Sequence, residues 1–343
     1  MDDVVITEIN LKEIINIKSL LEVSTFKPYR FISKGVESEL NAFWLEQIEN
    51  AIVDNQRKVF AYMLHKKPAG FMVFGDLPWD SKVFGIRMAS ISDFAIDHSI
   101  SNRKSIAEEL VNYVLDFAGK KGYKFILCKT YTDDMLMIHC LENAGFQLMG
   151  TILDYCVDYR STPFSSITEP KKIEDIIIRF AKPEDEKELE DLAKAAFKNH
   201  FGRYHADPHF TIDQATEVYV EWVRSSLRGY ADYFVLAEIE GRIAGLSVWK
   251  KTSQAEEKLP IKISHCSIAA VHPDFFGRGL FTKLTYEGMK LFSGKTDIIE
   301  APTHINNYAA QRGCTRLNLQ ICDARHSFHK WLDQDELRKI LIR

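Results

Sequence analysis

A short run in the last quarter of the chain has the residues that a backbone cradle for a phosphate-containing ligand requires. A strand ending at Val271 is followed by a proline and then by Gly277, Arg278 and Gly279, and Leu280 opens an amphipathic helix. The first N–H groups of a helix have no acceptors within it, and the positive end of the helix dipole attracts anions. Glycine lets the backbone approach a ligand closely, and Arg278 adds a charge. The spacing predicts a diphosphate site; a tight turn without a ligand is the alternative.

The elements around this run follow a regular order of strand, two helices, three antiparallel strands, helix, strand and helix. The order begins with the strand at 176–180, and the strand that leads to the glycine loop covers 261–271. An earlier part of the chain repeats much of it, with a hairpin near 58–74. Residues 161–175 contain two prolines, several hydroxyl side chains and a charge cluster, which is typical of a linker.

Length and composition exclude several classes of function. The chain has 343 residues, 46% of them hydrophobic, which predicts two domains of about 150–180 residues with full cores. The net charge of −4 and the lack of a long basic run argue against nucleic-acid binding. No window has the ~20 apolar residues of a membrane span, and the acidic start does not resemble a signal peptide. The six cysteines show no paired spacing, so we expect reduced thiols in a cytoplasmic protein.

The strand, Gly-Arg-Gly loop and helix resemble the acyl-CoA pyrophosphate motif of the GNAT acetyltransferases, and the order of elements is that of a GNAT domain. The resemblance implies an α/β fold with a mixed, largely antiparallel sheet flanked by helices, and it implies acetyl-CoA as co-substrate. Phe276 and Phe281 depart from the motif, and Phe281 is compatible with it only if its ring faces the helix-packing side. The resemblance assigns contacts with acetyl-CoA to Ala270, Val271, Gly277, Arg278, Gly279, Leu280 and Asn307.

The first half of the chain resembles a second GNAT domain, so two such domains in tandem are expected. Where its glycine loop should stand, residues 97–104 contain no glycine and include an acidic residue. Such a loop is poorly suited to a diphosphate, and we expect that the first half does not bind CoA; an unrelated α/β domain is the alternative. The predicted domains are therefore 1–160 and 176–343, joined by the linker 161–175.

The resemblance also implies roles in acetyl transfer. His265 stands where the family usually has a glutamate base, and a neutral imidazole with a pKa near ~6.5 could accept the amine proton. The alternative is a hydrogen-bonded structural histidine. Cys314 stands where the family often has an acidic tyrosine, and it is either the acid for the departing thiolate or a small packing residue. Asn307 is expected to bond CoA or the start of its helix, and Asn318 to replace a glycine by adopting a left-handed conformation.

Two runs, residues 77–85 and stretches within 196–223, resemble the TDP-fucosamine acetyltransferases and similar enzymes that act on 4-amino-4,6-dideoxy sugars. Residues 326–332 resemble the aromatic closing strand of GNAT enzymes that act on sugars. Arg203, Tyr204 and His205 lie in a stretch of poor periodicity and are the predicted acceptor contacts, because sugar nucleotides are held by aromatic faces and by arginine–phosphate pairs. No nearby carboxylate or cysteine completes a metal site with the histidines of this stretch, so no metal is expected.

The predicted function is transfer of an acetyl group from acetyl-CoA to a small amine, above all that of a nucleotide-linked amino sugar, by direct attack on the thioester. Two alternatives stay open. One is a non-catalytic protein that binds acyl-CoA or a sugar nucleotide, and the other is a GNAT enzyme that acts on an amino acid or peptide amine. The expected partners are small-molecule substrates, with a second copy of the chain as a further candidate, and not nucleic acid or membrane.

Overall fold

The chain divides into two compact units whose limits differ from the predicted domains. The computed structural model describes residues 4–32, 36–53, 57–253 and 256–332. Unit 1 contains the residues up to Met149 together with those from Arg325 onward, and unit 2 is Gly150–Ala324. The predicted first domain therefore ends too late, and the end of the predicted second domain lies in unit 1. Residues 333–343 of that prediction lie outside the described residues.

Unit 1 is built on a mixed sheet. Its first four strands are antiparallel neighbours, the fourth and fifth are parallel, and residues 325–331 pair antiparallel with the fifth. The fourth and fifth strands pair only over four residues each, from Met88 opposite Phe125 to Ile91 opposite Cys128. Beyond this point the two strands splay apart. The elements are β1 (Val4–Ile9), α1 (Lys18–Val23), α2 (Glu37–Val53), β2 (Arg57–Leu64), β3 (Lys67–Asp76), α3 (Pro78–Phe84), β4 (Met88–Ile96), α4 (Arg103–Lys120), β5 (Phe125–Tyr131) and α5 (Met135–Asn143).

Unit 2 has a similar mixed sheet. The elements that follow in the chain are β6 (Gln147–Asp158), β7 (Ile176–Phe180), α6 (Glu186–Phe197), α7 (Arg203–Ala206), α8 (Ile212–Ser225), β8 (Tyr233–Ile239), β9 (Arg242–Lys250), β10 (Ile263–Val271), α9 (Leu280–Leu291), β11 (Ile298–His304), α10 (Tyr308–Arg316) and β12 (Gln320–Trp331). Strands β7 to β10 are antiparallel neighbours, β10 and β11 are parallel, and β6 pairs antiparallel with β11. The mixed, largely antiparallel sheet predicted for both halves is confirmed.

Helices cover both faces of the unit 2 sheet because its strands are apolar on both sides. Helices α6 and α8 pack on one face, where they meet Ile268 and Ala270 of β10. Helices α9 and α10 pack on the other face, where Cys266 of β10 contributes to the core. Each fully buried aliphatic side chain in these layers stabilises the fold by ~1.5–3 kcal/mol. The assignment of residues to the two faces decides which site residues can meet.

The segment predicted as a linker packs as part of unit 2. It contains a short 3-10 helix, Phe164–Ser166, and Ile167 is buried in the core formed with α9 and α10. Lys283 of α9 is bonded to Glu169 in the same segment, with 2.8 Å between Nζ and Oε1. The prolines and hydroxyl residues therefore mark an irregular but packed segment.

Candidate active site

Strands β10 and β11 diverge in the middle of unit 2 and leave a cleft between their carboxyl ends. Pairing begins at Ile263 with Ile298 and stops at His265 with Glu300. Directly after this point, the register of β10 against β9 shifts past Cys266, as a β-bulge does. The backbone of β10 beyond the bulge therefore has β9 on one side and the cleft on the other.

The direction of the N–H groups at the end of β10 follows from one hydrogen bond. His272, directly after the strand, donates its N–H to the carbonyl of Ala244 in β9, with 2.9 Å between N and O. Because the N–H groups of successive residues point to opposite edges of a strand, that of Val271 points away from β9 and into the cleft. The N–H of Ala270 points towards β9. Of the two predicted backbone donors, only Val271 faces the cleft.

The glycine loop after β10 needs its glycines for their backbone conformation. Gly277 and Gly279 have φ angles of 78° and 83°, in the left-handed region that side chains disfavour, and no heavy atom lies within 4 Å of a Cβ built on either. Lys283 donates its N–H to the carbonyl of Gly279. The N–H groups of Leu280 to Thr282 precede this first turn and have no acceptor within α9. An open, donor-rich loop at a helix N-terminus is suited to a diphosphate.

Two arginines flank this loop, and sequence reasoning identified only one of them. The guanidinium carbons of Arg278 and Arg242 each lie 5.2 Å from the centre of the Phe275 ring. Arg242 begins β9 and is held by Asp274 in the loop, with 2.9 Å between Nη2 and Oδ2. It was missed because it stands far upstream in the sequence, after the turn between β8 and β9. Asp274 offsets the charge of Arg242, so the net positive charge beside the glycine loop comes from Arg278.

His265 lies at the base of the cleft between two carboxylates. Its Nδ1 is 2.9 Å from Oε2 of Glu300 and its Nε2 is 3.1 Å from Oε1 of Glu256. Burial alone would lower the pKa of His265, but the hydrogen bonds to Glu256 and Glu300 outweigh it and raise the pKa to about 9. At neutral pH the ring is therefore an imidazolium, not the neutral imidazole expected from the sequence. It becomes a proton acceptor only in mildly alkaline solution.

Cys314 lies on the other side of the sheet from His265. The thiol is 1% exposed in the core beneath α9 and α10, and burial raises its pKa to about 12. Cys266 belongs to the same core, and its neighbour His265 must point to the opposite face because side chains alternate along a strand. This position fits the packing alternative for Cys314 and separates it from the predicted base.

Three further expectations about this region are met by the local geometry. The Asn307 side chain accepts the N–H of Ala310 and so caps α10, as expected for the start of its helix. Asn318 adopts a left-handed conformation with φ of 62°. Phe281 packs against α10, since a Cβ on Gly313 would lie 2.5 Å from its Cδ1, and its ring therefore faces the helix-packing side.

The predicted acceptor residues lie on α7 and are more buried than expected. Tyr204 is 2% exposed, and the guanidinium carbon of Arg203 lies 4.5 Å from the centre of its ring. The Tyr204 ring therefore serves packing and does not offer a free face to a sugar. His205 Nε2 is 3.3 Å from Oγ1 of Thr216, and burial lowers the pKa of His205. Burial thus keeps its imidazole neutral.

Neutral histidines extend from α7 towards the cleft. The rings of His200 and His205 are 6.0 Å apart between centres, and Tyr219 of α8 lies 5.1 Å from His200. Burial, helped by the repulsion that His205 and His304 would exert when protonated, lowers the pKa of His200 to about 4. His304 is the last residue of β11, one arm of the cleft. No sequence pattern indicated His304, because it stands far from His200 along the chain.

Comparison with known proteins finds a family model that matches part of the chain. Residues 23–146 match the family model described as the Acetyltransferase (GNAT) family. This segment of the chain is therefore similar to the GNAT acetyltransferases. This match lies within unit 1, the half that the sequence predicted not to bind CoA. Enzymes of the GNAT family use acetyl-CoA, and both predictions of a GNAT fold and of an acetyltransferase are confirmed.

One curated relative and two solved structures show how far the likeness to other GNAT proteins extends. The spore coat polysaccharide biosynthesis protein SpsD of Bacillus subtilis (strain 168) is 22% identical over 268 residues, which are 76% of this chain and 84% of that protein. A GCN5-related N-acetyltransferase from Sphaerobacter thermophilus superposes with a TM-score of 0.66 at 13% identity over 96% of both chains. A tandem GNAT protein from the clavulanic acid biosynthesis pathway gives 0.61 at 10% identity, over 96% of this chain and 99% of that one. The two structures show the fold.

The described residues contain neither a candidate membrane span nor a cluster of metal ligands. In the described ranges, no helix has the length and apolar character needed to cross a membrane. Among the same residues, no group of three or more histidine, cysteine, aspartate or glutamate side chains is arranged to hold a metal ion.

Proposed function

We propose that this GNAT enzyme binds acetyl-CoA in unit 2 and transfers its acetyl group to the amine of a nucleotide-linked amino sugar of the 4-amino-4,6-dideoxy type. The observation that carries the assignment to unit 2 is the cleft between β10 and β11, which leads directly into the open glycine loop. Unit 1 has a similar splay between β4 and β5, but the residues that follow it, 97–102, contain no glycine.

Acetyl-CoA binding would use the backbone more than side chains. The diphosphate would accept hydrogen bonds from the N–H groups at the start of α9, with Arg278 supplying positive charge. The pantetheine arm would enter the cleft, where the N–H of Val271 is available to the amide or thioester oxygen. The N–H of Val271, the glycine loop and the start of α9 follow one another along the chain, an arrangement that supports binding of a single extended ligand.

The chemistry would be direct attack. The amine lone pair forms a bond to the thioester carbonyl carbon, the carbon–sulfur bond breaks, and the CoA thiolate leaves and is protonated by solvent. The incoming amine would displace Glu256 from Nε2 of His265, the longer of the two contacts at 3.1 Å, and deprotonated His265 would accept the amine proton there. The deprotonated fraction grows as the pH rises towards about 9. Glu256 and Glu300 would act as positioning residues that hold the ring and set its pKa.

The acceptor class rests on three supports. The relative SpsD is named for polysaccharide biosynthesis. The short runs near residues 77, 196 and 326 resemble enzymes that acetylate amino sugars. The half-buried His200 and His205 and the buried His304, all neutral, can bond hydroxyl groups without introducing a charge, which suits a sugar better than a charged peptide.

The test is release of free CoA thiol by the purified full chain with three acceptor groups: nucleotide-linked amino sugars, free amino sugars and lysine peptides. Gly279→Glu would put a carboxylate into the diphosphate cradle, and Ser101→Glu places the same charge in the corresponding loop of unit 1. We expect turnover with nucleotide-linked amino sugars that Gly279→Glu abolishes and Ser101→Glu preserves. The reverse pattern would move the CoA site to unit 1, and turnover with peptides alone would overturn the acceptor class.

A further inference from the structure

An open groove of about 490 Å³ lies beside α10 in unit 2. Helix α10 buries Ala310, Gly313 and Cys314 on one side, and the groove is on the opposite side of the helix. It is therefore separate from the glycine loop and from the His265 group. Its volume is within the range of small-molecule sites. The residues lining it are Tyr155, Tyr308, Gln311, Arg312, Thr315 and Arg316.

Part of the lining has its hydrogen bonds satisfied within the protein. The Gln311 side-chain amide donates to the carbonyl of Ile305 at 2.6 Å, and the Thr315 hydroxyl donates to the carbonyl of Gln311 at 3.0 Å. Tyr155 is 4% exposed and forms the floor. These residues hold the groove in shape and leave few of their own polar groups for a ligand.

The remaining lining residues are two arginines and an exposed tyrosine. Tyr308 is 63% exposed, and across the described part of the chain neither Arg312 nor Arg316 has a carboxylate within salt-bridge distance. By contrast, Arg224 and Arg228 elsewhere in unit 2 each pair with a glutamate. Spacing of four residues places the three side chains on one face of α10 over ~12 Å. The negative end of the helix dipole stabilises a positive side chain near the C-terminus. This effect accounts for Arg316 but not for Arg312, which lies in the middle of the helix.

We infer that this groove binds a nucleoside diphosphate. Guanidinium groups match phosphate oxygens in bidentate geometry, and an exposed aromatic ring stacks on a nucleobase. The inference rests on the proposed function and extends it, because the nucleotide of the amino-sugar acceptor supplies such a group, whereas the diphosphate of acetyl-CoA is assigned to the glycine loop. Acetyl-CoA offers the same chemistry of recognition, and competition with it tests whether the two sites are separate.

The test is calorimetric titration of the full chain with dTDP, UDP, ADP and inorganic pyrophosphate. The variant Arg312→Gln/Arg316→Gln should weaken the binding of nucleoside diphosphates and pyrophosphate at least tenfold, because both phosphate partners are removed. Tyr308→Ala should weaken the binding of the nucleotides and leave the binding of pyrophosphate unchanged, because only the stacking on the nucleobase is lost. Lys194→Gln, which removes an exposed charge from α6, is the matched control. It should change the binding of neither the nucleotides nor pyrophosphate. Melting temperatures verify that each variant is folded.

The outcomes separate this inference from the proposed function. Nucleotide binding that the arginine variant removes, and that saturating acetyl-CoA leaves intact, supports the groove as the site of the acceptor's nucleotide. Displacement of the nucleotide by acetyl-CoA would overturn that assignment. Nucleotide binding that the arginine variant does not change, or no binding at all, would overturn the inference. Acetyl-CoA binding and its loss in Gly279→Glu report on the glycine loop alone, so either proposal can fail without the other.

Discussion

Replacing Glu300 by glutamine removes one of the two carboxylates that keep His265 charged. The rise in the pKa of His265 from 6.5 to about 9 corresponds to ~3 kcal/mol of folding free energy. A hydrogen bond to a charged group contributes ~1.5–3 kcal/mol, so Glu300→Gln should remove about half of that stabilisation and move the pKa back towards 6.5. Because the folded pKa lies above the unfolded value, the stabilisation is complete below pH 6.5 and is lost as the pH rises through about 9.

The assay is an NMR titration of the chain labelled at histidine, from about pH 6 to about pH 10, with the His265 signal identified by its loss in His265→Gln. We expect a midpoint near 9 in the wild type and a lower one in Glu300→Gln, and a melting temperature that falls more steeply with pH in the wild type. Glu287→Gln removes a carboxylate that pairs with Lys283 and serves as the control. A wild-type midpoint near 6.5, or equal midpoints in wild type and Glu300→Gln, would refute the reasoning.

Three further predictions concern pH and packing. In a pH–rate profile, kcat/KM of the wild type should rise as the pH approaches about 9, and that of Glu300→Gln should reach its plateau at lower pH. A profile that the variant does not change would show that His265 is not the base. Gly288→Ala should lower the melting temperature through a loss of ~1–3 kcal/mol, because its Cβ would overlap the buried Trp249 indole. Gly119→Ala, in a helix with open space around it, should leave the melting temperature equal or higher. Asn318→Ala should cost ~1 kcal/mol in a denaturant titration, while Asn318→Gly should cost little, because only glycine accepts the left-handed backbone freely.

Local patterns in the sequence predicted the elements and the glycine loop correctly. Alternation and helical periodicity located most strands and helices, since burial of one face imposes the period. The left-handed conformations of Gly277, Gly279 and Asn318 were also accessible to sequence reasoning, because few residue types adopt them.

Contacts between distant segments could not be predicted from one sequence. Glu300 meets His265 only through the register of β10 with β11, and this meeting changes the expected charge of the imidazole. Arg242 reaches the glycine loop through the β8–β9 hairpin, by way of Asp274. The domain limits failed for a similar reason: residues 325–331 pair with β5, and nothing in their composition indicates which strand they join.

The central claim is that acetyl-CoA binds once, at the glycine loop of unit 2. Calorimetric titration of the full chain with acetyl-CoA tests it most directly, because the stoichiometry counts the sites and Gly279→Glu locates them. The account predicts one site per chain that Gly279→Glu abolishes and Ser101→Glu leaves intact. Two sites per chain, or one site that survives in Gly279→Glu, would contradict it.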